Sequence, residues 1–194
     1  LLLSHMRGHV CDMDRMASFC HAAELALVED CAHTMGAAWA GTPSGRHGAI
    51  GCYSTQTYKH MNSGEGGLVV TDDADLAARM ILLSGSYMLY PRHRAAPGPV
   101  TFARLKYDMP NVSGRMDNLR AAILRPQIAT LPDRVTRWNR LYGRLEAALA
   151  GTPAVALCRR PQAESFVGSS FQFRLPGRDP AAMIDLVRRA GTSG

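Results

Sequence analysis

The 194-residue sequence predicts an α/β protein: a mixed, mostly parallel sheet flanked by helices, leading into a smaller C-terminal α+β portion. Three observations carry this. A short apolar strand (residues 1–4), a helical pattern (13–25) and a second apolar strand (Ala26–Glu29) form a β-α-β unit, which requires parallel strands. Two further apolar runs bounded by glycine, Ala49–Tyr53 and Gly66–Thr71, read as strands. From Arg115 to Leu149 the apolar spacing is helical, and short strands and one last helix follow it.

In chain order, Leu1–Ser4 reads as a buried strand. His5 and His9 have the spacing of a metal clamp on a helix, but Gly8 between them disfavours a helix and with it the metal. Asp12 is the expected N-cap of the helix carrying Met13, Met16, Ala17, Cys20 and Ala23. Gly41–Gly48 is turn chemistry, and Asp72-Asp73 caps a helix running to about Leu83. Ser84–Met109 shows no clear period and holds Pro91, Pro97 and Pro99, so a long functional or mobile loop is expected, with Arg92, His93 and Arg94 solvated.

Within Arg115–Leu149, Pro126 and Pro132 are expected to kink or break the helix. Its apolar face would comprise Leu119, Ala122, Ile123, Ile128, Leu131 and Val135, continuing through Trp138, Leu141, Tyr142 and Leu145. Pro153–Leu157 and Ser170–Leu175 read as strands, and Asp179-Pro180 opens a last helix to about Ala190.

Hydrophobic content of 46% and charged content of 20% are those of a soluble globular protein. No apolar run approaches the ~20 residues of a membrane span, and the Leu1–Leu3 start lacks the flanks of a signal peptide. The formal charge of +6 permits a nucleic-acid partner, but the arginines are dispersed, without a basic run or interleaved aromatics, which argues against one. Five cysteines without CxxC spacing argue against a disulfide framework or zinc knuckle and for a reducing cytoplasm. The start without methionine and the stop at Gly194 suggest a chain truncated at both ends.

Two residues stand out chemically. Of 22 basic residues only Lys59 and Lys106 are lysine, the other twenty being arginine. An amine can lose its proton and attack a carbonyl to form a Schiff base, which a guanidinium cannot. Lys59 sits on the connection between two predicted strands, where an ordinary surface lysine is the competing reading. Asp30 ends the strand Ala26–Glu29, at the carboxyl edge where open α/β sheets gather ligands. A carboxylate there can hold a pyridinium nitrogen protonated, or serve only as a helix cap.

With these residues in hand the chain resembles the DegT/DnrJ/EryC1/StrS family, the pyridoxal-phosphate-dependent sugar aminotransferases of fold type I. Three segments carry the resemblance: Glu29-Asp30-Cys31-Ala32-His33; Ser54 five residues before Lys59, followed by Gly64-Glu65-Gly66-Gly67; and Gly114 through Ala122. The resemblance implies that Lys59 is the Schiff-base lysine and Asp30 the partner of the pyridine nitrogen. It places His33 against the 3-hydroxyl of pyridoxal 5'-phosphate and Ser54 on its phosphate.

Many members have Tyr-Asn-Tyr before the Arg-Met pair, its Asn reaching the phosphate in the partner subunit. Here Pro110-Asn111-Val112-Ser113-Gly114 stands instead, and either Asn111 or Ser113 can donate. The family further implies a homodimer with composite sites, an amino-acid donor, commonly glutamate, and a nucleotide-sugar substrate. It divides the chain into part of a large cofactor domain (1–114), connecting helices (115–150) and the start of a small domain (151–194). A catalytically inactive cofactor-binding regulator or scaffold, and a generic phosphate-binding domain with an incidental Lys59, are the alternatives.

Overall fold

The computed structural model describes residues 1–85 and 88–191. In chain order its elements are β1 (Leu2–Ser4), α1 (Met13–Ala22), β2 (Val28–Asp30), β3 (Ala38–Trp39), β4 (Thr42–Pro43), β5 (Ile50–Ser54), β6 (Gly67–Val70) and α2 (Ala74–Leu83). They continue as α3 (Pro99–Leu105), α4 (Asn118–Leu149), β7 (Ala156–Leu157), β8 (Glu164–Ser165), β9 (Phe173–Arg174) and α5 (Pro180–Arg189). The main sheet has the order β1-β2-β5-β6, with β1, β2 and β5 parallel and β6 antiparallel on β5. The mixed, mostly parallel sheet is the one the sequence predicts. Among the described residues no helix is long and apolar enough to cross a membrane.

The caps form at the expected residues. Asp12 accepts from Arg15 N (3.1 Å), Asp73 from Asp75 N (2.8 Å) and Leu76 N (3.0 Å), and Asp179 from Ala181 N and Ala182 N. Each satisfies amides that a helix start leaves without partners. β1 departs from expectation: Leu2 is 69% exposed, because β1 is the edge strand and this side chain meets no covering element among the described residues.

The segment expected to be a long loop contains a 3-10 turn (Tyr90–Arg92) and α3; residues 86 and 87 of it lie outside the described residues, as do 192–194 at the chain end. Pro99 is tolerated at the start of α3, where its missing N–H has no intrahelical partner anyway. Phe102 and Leu105 then bury against Ala78 of α2.

Helix α4 runs 32 residues through both prolines without a break. Packing on each side of the prolines holds it. Leu124 joins a core cluster with Met35 and Met61, and Val135 and Trp138 pack on a second cluster of Val10, Met13, Cys20, Leu27, Ala37, Trp39 and Val167. Such tertiary contacts outweigh the ~3 kcal/mol that an interior proline costs. The apolar face also differs from expectation. Leu124, Leu131, Val135, Trp138 and Tyr142, spaced by seven, four, three and four, turn inward, while Leu119, Ile123, Ile128, Leu141 and Leu145 are exposed.

One buried carboxylate ties the sheet to its loops. Glu29 is fully buried and accepts from Gly45 N (2.8 Å), His47 N (2.7 Å), Gly48 N (2.9 Å) and the His5 ring (3.0 Å). Burial alone would raise its pKa, but His5 and the three amides outweigh burial and hold it down at about 2. The folded chain therefore keeps Glu29 ionised at acidities where the unfolded chain has protonated it. This stability is fully present above the unfolded value of 4.5 and disappears as pH falls toward 2. Glu29→Gln is expected to lose about 3 kcal/mol or more in urea unfolding at neutral pH. The variant should also show a shallower loss of stability than the parent between these two pH values.

Candidate active site

The carboxyl ends of β1, β2 and β5 share one edge of the sheet, with Ser4, Asp30 and Cys52 in register and Ser54 two residues further along β5. Side chains alternate across a strand, so Glu29 and Asp30 point to opposite faces. Glu29 goes to the loops beneath, and Asp30 accepts from Ala32 N (3.0 Å) and Ser4 Oγ (3.0 Å). Each carboxylate oxygen has two lone pairs, so Asp30 retains capacity for a further donor.

Lys59 lies on the connection between β5 and β6. That loop is closed at its base by Thr55 N to Gly66 O, Thr57 N to Gly64 O and Ser63 N to Thr55 O, each 2.9 Å. Gly66 has φ +133° and no room for a side chain: a Cβ would lie 2.8 Å from Thr55 Oγ1. Helix α4 grips the loop from one side. Gln127 accepts from Asn62 N (3.0 Å) and donates to Asn62 O (2.7 Å), and Met61 packs with Leu124 and with Met35 of the turn after β2. His60 is buried, its ring 5.1 Å from Trp138 and its Nε2 2.6 Å from Ser169 Oγ.

So held, the half-buried Lys59 Nζ lies 3.1 Å from His33 Nε2. Burial, then the charges of Lys59 and Arg7, lower the His33 pKa, with Asp30 opposing them. The ring is therefore neutral at pH 7, and its Nε2 accepts from the Lys59 amine. Ser54 Oγ accepts from Gln56 N (3.2 Å), and among the described residues its own proton has no acceptor.

Asn111 and Ser113 stand apart. Asn111 Oδ1 accepts from Ser113 N (2.9 Å), both residues are exposed, and Val112 N and Arg115 N bond to Leu83 O and Ser84 O at the end of α2. Neither bonds to Lys59, His33, Asp30 or Ser54 among the described residues. Neither caps α4; Asp117 does, accepting from Arg120 N (2.8 Å). An open groove lined by Glu65–Gly67, Gly114–Met116 and Arg120 separates this loop from the β5–β6 connection.

The sequence reading missed His60, Gln127 and Ser169, whose pairings span 65 and 109 residues and leave no local signal. It also missed the role of Glu29, which strand alternation opposite Asp30 could have revealed. His5, Glu29 and Cys31 bring three potential metal-ligand atoms within 4.8 Å. Glu29 is already committed to four donors, and burial, with Glu29 beside it, pushes the Cys31 thiol up to about 12, so the group is structural. All five cysteines are free.

The model of the DegT/DnrJ/EryC1/StrS aminotransferase family matches residues 1–192. The L-glutamine:scyllo-inosose aminotransferase of Streptomyces griseus is 31% identical over 172 residues, covering 89% of this chain and 40% of that protein. GDP-perosamine synthase of Caulobacter vibrioides is 32% identical over 146 residues, covering 75% and 36%. The solved structure of S. venezuelae DesV, in complex with a ketimine intermediate, superposes with a TM-score of 0.81 at 27% identity, over 100% of this chain and 48% of that one. The chain thus spans less than half the length of these relatives.

His60 makes the site sensitive to acid. Burial, then the charges of His33, Arg134 and Lys59, lowers its pKa from 6.5 to about 4. Between these values the unfolded chain binds a proton at this residue that the folded chain refuses, so this stability is complete above 6.5 and is lost as pH drops toward 4. Replacing His60 with Gln, which does not titrate, should remove up to about 3 kcal/mol of this pH dependence. Urea midpoints measured at pH 7, 5.5 and 4.5 for parent and variant check it.

Proposed function

The chain belongs to the DegT/DnrJ/EryC1/StrS aminotransferase family, and on that premise we propose that the whole protein is a pyridoxal 5'-phosphate-dependent aminotransferase that aminates a keto-sugar carried on a nucleotide. The observation that carries this reading is the Lys59 amine, 3.1 Å from a neutral His33 at the carboxyl edge of the sheet. The donor set fits the cofactor: an amine for its carbonyl, the Asp30 carboxylate for its ring nitrogen, the His33 ring for its 3-hydroxyl and the Ser54 hydroxyl for its phosphate. Bound, the cofactor supplies an electron sink that lets an amino group move from one substrate to the next.

The chain's own residues do the rest. Lys59 would hold the cofactor through its amine, and as a free amine it would hold or move a proton at Nζ. His33, neutral beside it, accepts a hydrogen bond from the amine and so fixes where Nζ points. Asp30, with acceptor capacity left beyond Ala32 N and Ser4 Oγ, would accept from the protonated ring nitrogen. Met35, Met61 and Leu124 form an apolar floor beneath loop and turn that excludes water from below.

The amino donor in this reading is glutamate; the name of the Streptomyces griseus relative makes glutamine the alternative to assay beside it. The GDP-linked product named for the Caulobacter relative supports a nucleotide-linked acceptor. The active unit in this proposal is a homodimer in the cytoplasm, with Asn111 or Ser113 completing the phosphate site of the partner. Exposure of Asn111, Val112 and Ser113, with Leu119 at 72% and Ile128 at 59% on the adjoining helix, supports a contact there. Free thiols support a reducing compartment. Residues 1–114 form part of the cofactor domain, 115–150 connect, and 151–194 begin the small domain.

Borohydride reduction of the full-length protein with cofactor should fix the label on the peptide containing Lys59. Label on Lys106 instead would overturn the assignment. Lys59→Arg should abolish labelling as completely as Lys59→Ala, since arginine keeps the charge but cannot join a carbonyl.

A further inference from the structure

We propose that His60 is a positioning residue for Lys59, latched by Ser169 from the far end of the chain. The proposal rests on the reading of Lys59 as the amine that joins the cofactor. Among the described residues, Lys59 has only local support on its amino side: its N–H bonds to Gln56 O (2.9 Å), and Tyr58 is 90% exposed. On its carboxyl side comes His60, 7% exposed, with its ring against Trp138 and its Nε2 on Ser169 Oγ. The residue that fixes the backbone next to the amine is therefore His60.

Ser169 is a firm anchor because the chain before it is fastened on several sides. Glu164 accepts from Val10 N (2.7 Å), Glu164 and Ser165 pair with β3, and Val167 N bonds to Gly8 O (2.9 Å). The approach at Gly8 is so close that a Cβ there would lie 1.9 Å from Val167 O. Asn139 of α4 then holds the next turn from both ends, donating to Phe166 O (3.0 Å) and accepting from Gly168 N (2.6 Å). Ser169 follows directly.

The ring has one orientation that satisfies it. His60 Nδ1 is buried without a partner among the described residues. A proton there would be an unsatisfied buried donor, so the neutral ring carries its proton on Nε2 and donates to Ser169 Oγ. The latch therefore needs an acceptor at position 169, which serine and threonine provide and alanine does not. Ser169 itself is exposed, so its substitution leaves the core intact.

The test uses the full-length protein and two ligands of the same shape. Pyridoxal 5'-phosphate has an aldehyde to join Lys59; pyridoxamine 5'-phosphate has the same ring and phosphate and no aldehyde. Ser169→Ala is expected to weaken pyridoxal phosphate about 10-fold, one hydrogen bond's worth, while pyridoxamine phosphate stays within about 2-fold of the parent. Ser169→Thr should restore the parental ratio. His60→Gln, whose amide can donate to Ser169 as Nε2–H does, should lie nearer the parent than His60→Leu.

Equal weakening of both ligands in Ser169→Ala means the latch only supports the fold and overturns the proposal; so does no change in either. A parent that forms no covalent link at Lys59 overturns the functional reading, and the proposal falls with it.

Discussion

The Lys59 amine meets His33 because one helix holds both of the segments that carry them. Among the described residues, the β5–β6 loop and the turn after β2 have no hydrogen bond between them besides the one at the amine itself. They are brought together from below, where Met61 of the loop and Met35 of the turn bury against Leu124 of α4. Gln127 and Trp138, further along the same helix, hold Asn62 and His60. The inward stripe of α4 is thus the wall on which the site is assembled, which explains why that helix persists through two prolines. Buried apolar area there outweighs the lost backbone bonds.

The second constraint is the pleat of β2. Adjacent carboxylates, Glu29 and Asp30, take opposite fates because successive side chains of a strand face opposite sides. Glu29 disappears under the 45–48 loop, where three amides and His5 satisfy it, and gives the sheet edge its rigidity. Asp30, one residue on, stays half-buried at the carboxyl edge with bonding capacity to spare. A shift of register by one residue would bury the wrong acid.

Much of this was legible in the sequence where chemistry is local. The rarity of lysine singled out Lys59, and an acid closing an apolar strand singled out Asp30; both lie at the carboxyl side of the sheet. Caps at Asp12, Asp73 and Asp179 followed from short-range rules. What escaped was non-local or too short to show a period. β8 is two residues whose pairing with β3 crosses more than a hundred positions, and α3 is seven residues opened by a proline that reads as a breaker. The exposure of Leu2 and the division of the α4 apolar residues into inner and outer sets depend on which neighbours exist, which periodicity does not encode.

Whether this site moves amino groups is decided by the half-reaction. The full-length protein is loaded with pyridoxal 5'-phosphate and given glutamate, or in parallel glutamine, with no acceptor sugar present. Bound cofactor is expected to convert to pyridoxamine 5'-phosphate with one of these donors, and Lys59→Ala to convert none. Cofactor linked to Lys59 that remains in the pyridoxal form with both donors would contradict this expectation and point to a binding protein without turnover.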